Sequence, residues 1–355
     1  MSTPAAEGLD ETALIELDGR IQAGDYGYVD RVVVVRHGRL VFDRRYEQDY
    51  RSISRGQHSQ IGCGYGCEDP AWDHQFNYLH PDWHPYHQGR DVHTLQSVTK
   101  SITATLIGIA IVRGDIAGVD EPLLPFLAGY DVSGVEAGLK DATLEDVLTM
   151  RTGIEWHETD RPMDDTNTTI QLERATDWVQ FTLNQPMDSQ PGERWAYNSG
   201  GSQLMSAVIR HATGRTLDLY AEEFLFGPLD ITDYHWKMTD AGLPDALGGL
   251  YLGAEDLAKI GYLYLQDGLW EDGRLLPDGW VEAATTKHVA QPAYGYQWWR
   301  PDPFGEVVWA GQGFGGQFLL VLPEHDIVAV INSWNLFGGR FPSLRDALIR
   351  TLTQG

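Results

Sequence analysis

Lysine is scarce in this chain: only five of its 26 basic residues are Lys, against 51 acidic residues. The formal charge of −25 would repel a polyanion, so nucleic acid is not an expected partner. The bias itself has two readings, a surface suited to high salt or a GC-rich genome favouring Arg and Asp. Long hydrophobic runs are missing as well. The longest, Ile102 to Val112, is too short to cross a bilayer and reads as a buried helix, so no membrane association is expected. The opening residues "MSTPAAEGLDE" lack the basic start and apolar run of a secretory leader. The expectation is a soluble, cytoplasmic protein. Cysteine is reduced to two residues, Cys63 and Cys67 in "GCGYGC". A zinc site would need more ligands nearby. A small disulfide loop stays open, but the missing leader favours reduced thiols.

Several signatures are absent. No Gly-x-Ser-x-Gly occurs, which argues against an α/β-hydrolase nucleophile elbow. No His-Glu-x-x-His occurs. His80, His84 and His87 in "HPDWHPYH" could ligate a metal, but Pro81 and Pro85 break any helix that would align them. This aromatic stretch reads instead as a wall of a substrate cleft, and no metal or other cofactor is expected. Gly311-Gln312-Gly313-Phe314-Gly315-Gly316 fits G-x-G-x-x-G, yet a strand pattern follows it where a dinucleotide fingerprint needs a helix. Its glycines are expected to let backbone approach a substrate.

What is present is 355 residues with 42% hydrophobic content, enough for two lobes or one elaborated domain. Residues 9–22 have the periodicity of an amphipathic helix. "RVVVVRHG" and "RLVFDRRY" read as a hairpin around His37-Gly38. Residues 47–92 show no periodicity and read as a long irregular segment. Helices are predicted over 97–113, 142–150, 174–183, 199–213, 216–225 and 254–267. The end turns β-rich, with "YGYQWWR", "EVVWAG", "QFLLVLP" and "IVAVINSW" as strands and a closing helix from Ser343 to Leu352. The strand-rich ends, 1–92 and 290–355, are expected to form one antiparallel sheet, with a helical lobe, 93–289, inserted between them.

The most informative stretch is "TLQSVTKSITATLIGIAI". Ser97 and Lys100 stand three apart, on one face of a helix that opens at Ser97. A helix start presents unpaired N–H groups and a positive dipole end. A hydroxyl there can attack a carbonyl while the Ser97 N–H binds the oxyanion that forms. The bland alternative is a capping serine followed by a solvated lysine. Against it stands the apolar run after Lys100, which marks the helix as buried.

These residues, with "TLEDVLTMRTGIEW", "ERWAYNSGGSQLMSAVIRHATG", "LYLGAEDLAKIGYLYLQDG", "YGYQWW" and "GQGFGGQFLLVLPEHDIVAVI" following in order, resemble the serine β-lactamase-like family. Its branch here holds class C β-lactamases, DD-peptidases, family VIII esterases and 6-aminohexanoate-dimer hydrolases. The resemblance covers about residues 31–350. It implies one α/β (α+β) catalytic domain over 1–355, β-lactamase/DD-peptidase-like in fold, with the active site between sheet and helical lobe. It implies Ser97 as nucleophile, Lys100 and Tyr197 as the groups that handle its proton, and no cofactor. Ser199 stands where the family's commoner form has Asn; it is a candidate for substrate binding, since its hydroxyl can hydrogen-bond, but it lacks the amide's paired donor and acceptor, which weakens the case for β-lactam recognition. No Lys-Thr-Gly occurs. Trp309-Ala310-Gly311 resembles the Trp-x-Gly variant of esterases, which makes Trp309, Gly311 and Gln312 candidates for substrate and oxyanion binding, with the Gln312 N–H as second donor. Arg151-Thr152-Gly153 lies in the wrong order for that role. The activity implied is hydrolysis of small carboxylic esters or amides through a Ser97 acyl-enzyme. The alternatives are a penicillin-recognising enzyme and a non-catalytic binding protein on the same fold.

Overall fold

The computed structural model describes residues 2–67, 77–79, 89–271 and 273–354. The chain opens with α1 (Glu11–Gln22), the hairpin β1 (Val29–Arg36) and β2 (Arg39–Arg45), a short α2 (Tyr50–Ser54) and a small hairpin, β3 (His58–Ser59) with β4 (Gly62–Cys63). Then β5 (His93–Thr94) leads into α3 (Val98–Arg113). A run of helices follows: α4 (Glu136–Leu139), α5 (Leu144–Leu148), α6 (Thr168–Glu173), α7 (Trp178–Leu183), α8 (Ser199–Thr213) and α9 (Leu217–Ala221). Strands β6 (Tyr234–Trp236) and β7 (Leu250–Leu252) precede α10 (Ala254–Leu265). Two minor hairpins, β8 (Leu269–Trp270) with β9 (Gly273–Arg274) and β10 (Val289–Ala290) with β11 (Ala293–Tyr294), flank α11 (Trp280–Thr285). The chain closes with β12 (Trp309–Gly313), β13 (Gln317–Leu322), β14 (Ile327–Ser333) and α12 (Leu344–Thr353).

Both ends of the chain meet in one five-stranded sheet, in the order β12-β13-β14-β1-β2, with every neighbouring pair antiparallel. Its inner strands are continuously apolar because both faces are covered. Side chains alternate between faces. Val33, Leu319, Val321, Val328 and Val330 pack into the large core that α3, α8 and α10 fill. Val32, Val34, Leu320, Leu322, Ala329 and Ile331 pack on the other face under Leu14, Leu17 and Ile21 of α1 and Leu348, Ile349 and Leu352 of α12.

Helix α3 is buried along its length from Val98 to Ala110. Its small polar residues are all hydrogen-bonded, as burial requires. The Ser101 hydroxyl donates to the Gln297 carbonyl (2.7 Å), Thr103 to the Ala246 carbonyl (3.0 Å) and Thr105 to the Ser101 carbonyl (2.8 Å).

Three expectations change. Residues 294–300 do not form a strand beyond β11 and two isolated bridges at Trp299. Gln297 has φ +59° and its side chain donates to the Val147 and Leu148 carbonyls (3.1 and 3.0 Å), so the aromatics there are held by packing rather than by a ladder. Residues 47–67 contain α2 and the β3–β4 hairpin. Cys63 and Cys67 are not free thiols but joined in a disulfide, with Cα atoms 5.7 Å apart; a turn closed by the Cys67 N–H on the Gly64 carbonyl (3.2 Å) folds Cys67 back over Cys63. His80, His84 and His87 lie outside the described residues. No described helix is long and apolar enough to cross a membrane.

Candidate active site

The backbone reaches Ser97 through Gln96, whose φ of +48° is uncommon for a residue with a side chain. The Gln96 amide donates to Thr94 Oγ1 at 2.7 Å, which fixes the turn. Ser97 then sits at the N-cap of α3 without capping it through its side chain, so its hydroxyl is free for another partner. That partner is Lys100. The lysine is 1% exposed, and its Nζ donates to Ser97 Oγ at 3.1 Å and to the Leu247 carbonyl at 2.9 Å.

The Leu247 carbonyl is held by a buried loop. Asp245 Oδ1 accepts from the N–H groups of Leu247 (3.1 Å) and Gly248 (2.9 Å). Its Oδ2 accepts from the Tyr78 hydroxyl and faces Lys237 Nζ at 3.4 Å. Lys237 also lies over the rings of Tyr78 and Trp178, 4.4 and 4.8 Å from their centroids, a geometry that stabilises a buried cation. Glu173, at the end of α6, is buried beside this group. Burial pushes its carboxyl up to about 8, with Lys237 and Lys100 opposing the rise and Asp245 and Glu158 adding to it.

Tyr197 comes from the start of α8. Asn198 caps that helix, its Oδ1 accepting from the Gly201 N–H at 2.7 Å, and Tyr197 is the residue just before it. Its ring centroid lies 5.1 Å from Lys100 Nζ, and it stacks on Trp299 at 5.7 Å. Trp195 and Tyr294 complete an aromatic wall. Ser199 is turned elsewhere. It is buried, its hydroxyl donates to Glu158 Oε1 at 2.8 Å, and its N–H donates to Glu158 Oε2 at 3.0 Å. Glu158 Oε2 also accepts from Trp156 Nε1 at 2.9 Å. A carboxylate at a helix start is well placed against the dipole, and it occupies the hydroxyl that the sequence had offered to substrate.

Strand β12 runs along α3 at the edge of the sheet. A Cβ on Gly311 would lie 3.0 Å from Val98 Cγ1, and one on Gly313 would collide with the Leu95 carbonyl oxygen. Only glycine lets the strand pass the Ser97 turn this closely. Ala310 exchanges both main-chain hydrogen bonds with Trp299, each 2.9 Å, so its N–H points away from β13. Backbone groups alternate along a strand; the Gln312 N–H therefore points to the same outer edge. The Gln312 side chain lies on the opposite face from α3, accepting from Arg345 Nη1 at 3.3 Å. Trp309 packs against the large core at the start of the strand, two residues before Gly311.

A family model described as Beta-lactamase matches residues 26–352. The chain belongs to the β-lactamase family. Within it, the chain is similar to the 6-aminohexanoate-dimer hydrolase of Paenarthrobacter ureafaciens, at 27% identity over 273 residues, 69% of this chain and 67% of that protein. Among solved structures it resembles EstCE1, a hydrolase with promiscuous acyltransferase activity (TM-score 0.68, 13% identity, covering 97% of this chain and 98% of that one). It also resembles the octameric penicillin-binding protein homologue from Pyrococcus abyssi (TM-score 0.65, 18% identity, 96% and 77% covered). These last two share the fold. This member of the β-lactamase family is a serine hydrolase.

Sequence reasoning did not find Glu158, Glu173, Lys237, Asp245 or the Leu247 carbonyl. One signal was available for Lys237: it is one of five lysines in the chain, and aromatic and apolar residues surround it in "DYHWKM".

Proposed function

We propose that the protein hydrolyses small carboxylic esters or amides through an acyl-enzyme on Ser97. The observation that carries this reading is Lys100, a lysine withdrawn from solvent whose ammonium is 3.1 Å from Ser97 Oγ. Burying that charge is costly, and Lys100 faces neutral oxygens of Ser97 and Leu247 rather than a carboxylate in contact. A lysine kept this way is suited to work on the serine's proton.

In the first step Ser97 Oγ bonds to the substrate carbonyl carbon, and its proton passes to the Lys100–Tyr197 pair, which must hold one proton fewer than an ammonium plus a phenol in order to accept it. The negative charge collects on the carbonyl oxygen, where the Ser97 N–H at the start of α3 and the Gln312 N–H on the free edge of β12 stabilise it. Collapse breaks the bond to the alcohol or amine, which leaves with the returned proton. Water then attacks the acyl-enzyme by the same route and frees Ser97. The aromatic wall of Trp195, Tyr197, Tyr294 and Trp299 suits an apolar portion of the substrate. The likeness to a 6-aminohexanoate-dimer hydrolase supports including linear amides. The engagement of Ser199 by Glu158 speaks against β-lactams as preferred substrates.

The test combines labelling and turnover. A fluorophosphonate should add once to the wild type, at Ser97 by peptide mass spectrometry, and not to Ser97→Ala. That variant should lose p-nitrophenyl ester hydrolysis while keeping its circular dichroism. Turnover of nitrocefin should stay far below that of the best ester. An adduct on another residue, or ester turnover near wild type in Ser97→Ala, sinks the assignment.

A further inference from the structure

The β3–β4 hairpin gathers three side chains of metal-ligand type. His58 is the cross-strand partner of Cys63, so the two project on one face. Cys67 folds back onto them, with its Sγ 3.6 Å from His58 Nε2. One ligand atom from each of the three lies within 4.8 Å of the others. Cys63 is buried and fixed: its N–H donates to Asn77 Oδ1 (3.2 Å) and its carbonyl accepts from Asn77 Nδ2 (2.9 Å). His58 is exposed and Cys67 partly so, which leaves a path for an ion from solvent.

A disulfide needs two cysteines and does not require an imidazole against one of its sulfurs. We propose that, once a dithiol reductant has opened the Cys63–Cys67 bond, His58, Cys63 and Cys67 form a site for one zinc ion. The reductant gives two electrons and two protons to the sulfurs and is itself oxidised to a disulfide. Zinc then displaces both thiol protons, forming two Zn–S bonds and one bond to a neutral His58 nitrogen, with water in the fourth position. Bonds of ~2.3 Å to sulfur and ~2.0 Å to nitrogen about a tetrahedral ion set S and N about 3.5 Å apart, close to the 3.6 Å that Cys67 Sγ and His58 Nε2 already show. The two sulfurs need to part to about 3.8 Å, a movement that the turn carrying Cys67 can make while Cys63 stays clamped. The C-x-x-x-C spacing also lies within the range of zinc ligand pairs. Oxidation withdraws both thiolates, so the same three residues hold either a disulfide or a metal.

Cobalt is the probe, because it gives a thiolate-to-metal absorption band that reports sulfur ligation without reference to catalysis. The full chain, reduced with a phosphine, is titrated with Co2+ and then with competing Zn2+. The expected result is one equivalent bound per reduced chain, the band lost on adding zinc, and no band in the oxidised protein. Cys67→Ser should abolish the band and His58→Ala should weaken cobalt binding at least tenfold, with circular dichroism unchanged in both. The proposal is overturned by a reduced wild type without the band, by an oxidised protein that binds as well as the reduced one, or by His58→Ala binding like wild type.

Discussion

Two lysines are withdrawn from solvent in this molecule, and their surroundings separate their roles. Lys237 faces the Asp245 carboxylate and two aromatic rings. That environment holds a charge in place. Lys100 faces the Ser97 hydroxyl, the Leu247 carbonyl and the Tyr197 ring, an environment in which a proton can be passed. Tyr197→Phe tests this at the level of one oxygen atom. The ring and its stacking on Trp299 remain, while the hydroxyl proposed to receive and return the Ser97 proton is removed. The expected loss is in kcat on an ester, about 10²–10⁴-fold, the usual worth of general acid–base help. Thermal stability should change by no more than one hydrogen bond, about 0.5–1.5 kcal/mol. A normal kcat with a lowered melting temperature would make Tyr197 structural and leave Lys100 as the sole proton path.

At the scale of elements, the site is the meeting point of two helix starts, one strand edge and one loop. The start of α3 carries Ser97 and Lys100, Tyr197 lies just before α8, the edge of β12 carries the Gln312 N–H proposed as an oxyanion donor, and the 245–248 loop supplies the carbonyl that receives Lys100. The Ser97–Lys100 pair was legible in the sequence because a helix turn is a local fact: three residues apart means one face. Strands β1, β2, β13 and β14 were legible because their apolar runs are bounded by turn residues. The partners across 41 residues (Glu158 and Ser199) and 147 residues (Lys100 and Leu247) were not, since tertiary packing alone brings them together. Residues 294–300 misled because burial, not strand pairing, explains their aromatics.

The loop makes its own prediction. Asp245→Asn keeps the side-chain shape but removes the charge that faces Lys237. It also exchanges an acceptor of the Tyr78 hydroxyl or of the loop N–H groups for a donor. Removing one charge of a buried ion pair is destabilising, so the melting temperature should drop. If the Asp245 loop positions Lys100, kcat should fall at least tenfold at temperatures where the variant is still fully folded by circular dichroism. Wild-type kcat in the folded variant would mean that the Leu247 carbonyl finds its place without Asp245.

For the whole molecule, the charge balance sets how stability responds to pH. The surface carries the excess of 51 acidic over 26 basic residues, and its mutual repulsion is a long-range effect that salt screens, the Debye length falling to ~3 Å at 1 M. Glu173 is different. It is buried, its Oε2 has no hydrogen-bond partner among the described residues, and its carboxyl is raised from 4.5 to about 8. Between those two values the folded protein holds a proton that the unfolded chain has released. Stability therefore falls as pH rises through this window, and the full cost is present above about 8. Glu173→Gln keeps the volume and removes the titration. At high salt, where the surface acids are screened, the wild-type melting temperature should fall as pH rises through this window and the variant's should fall less, so that the two curves converge at the acid end and separate at the alkaline end. Parallel curves would show that Glu173 loses its proton over the same range in the folded and unfolded chains, its charge being balanced by Lys237 in the folded state.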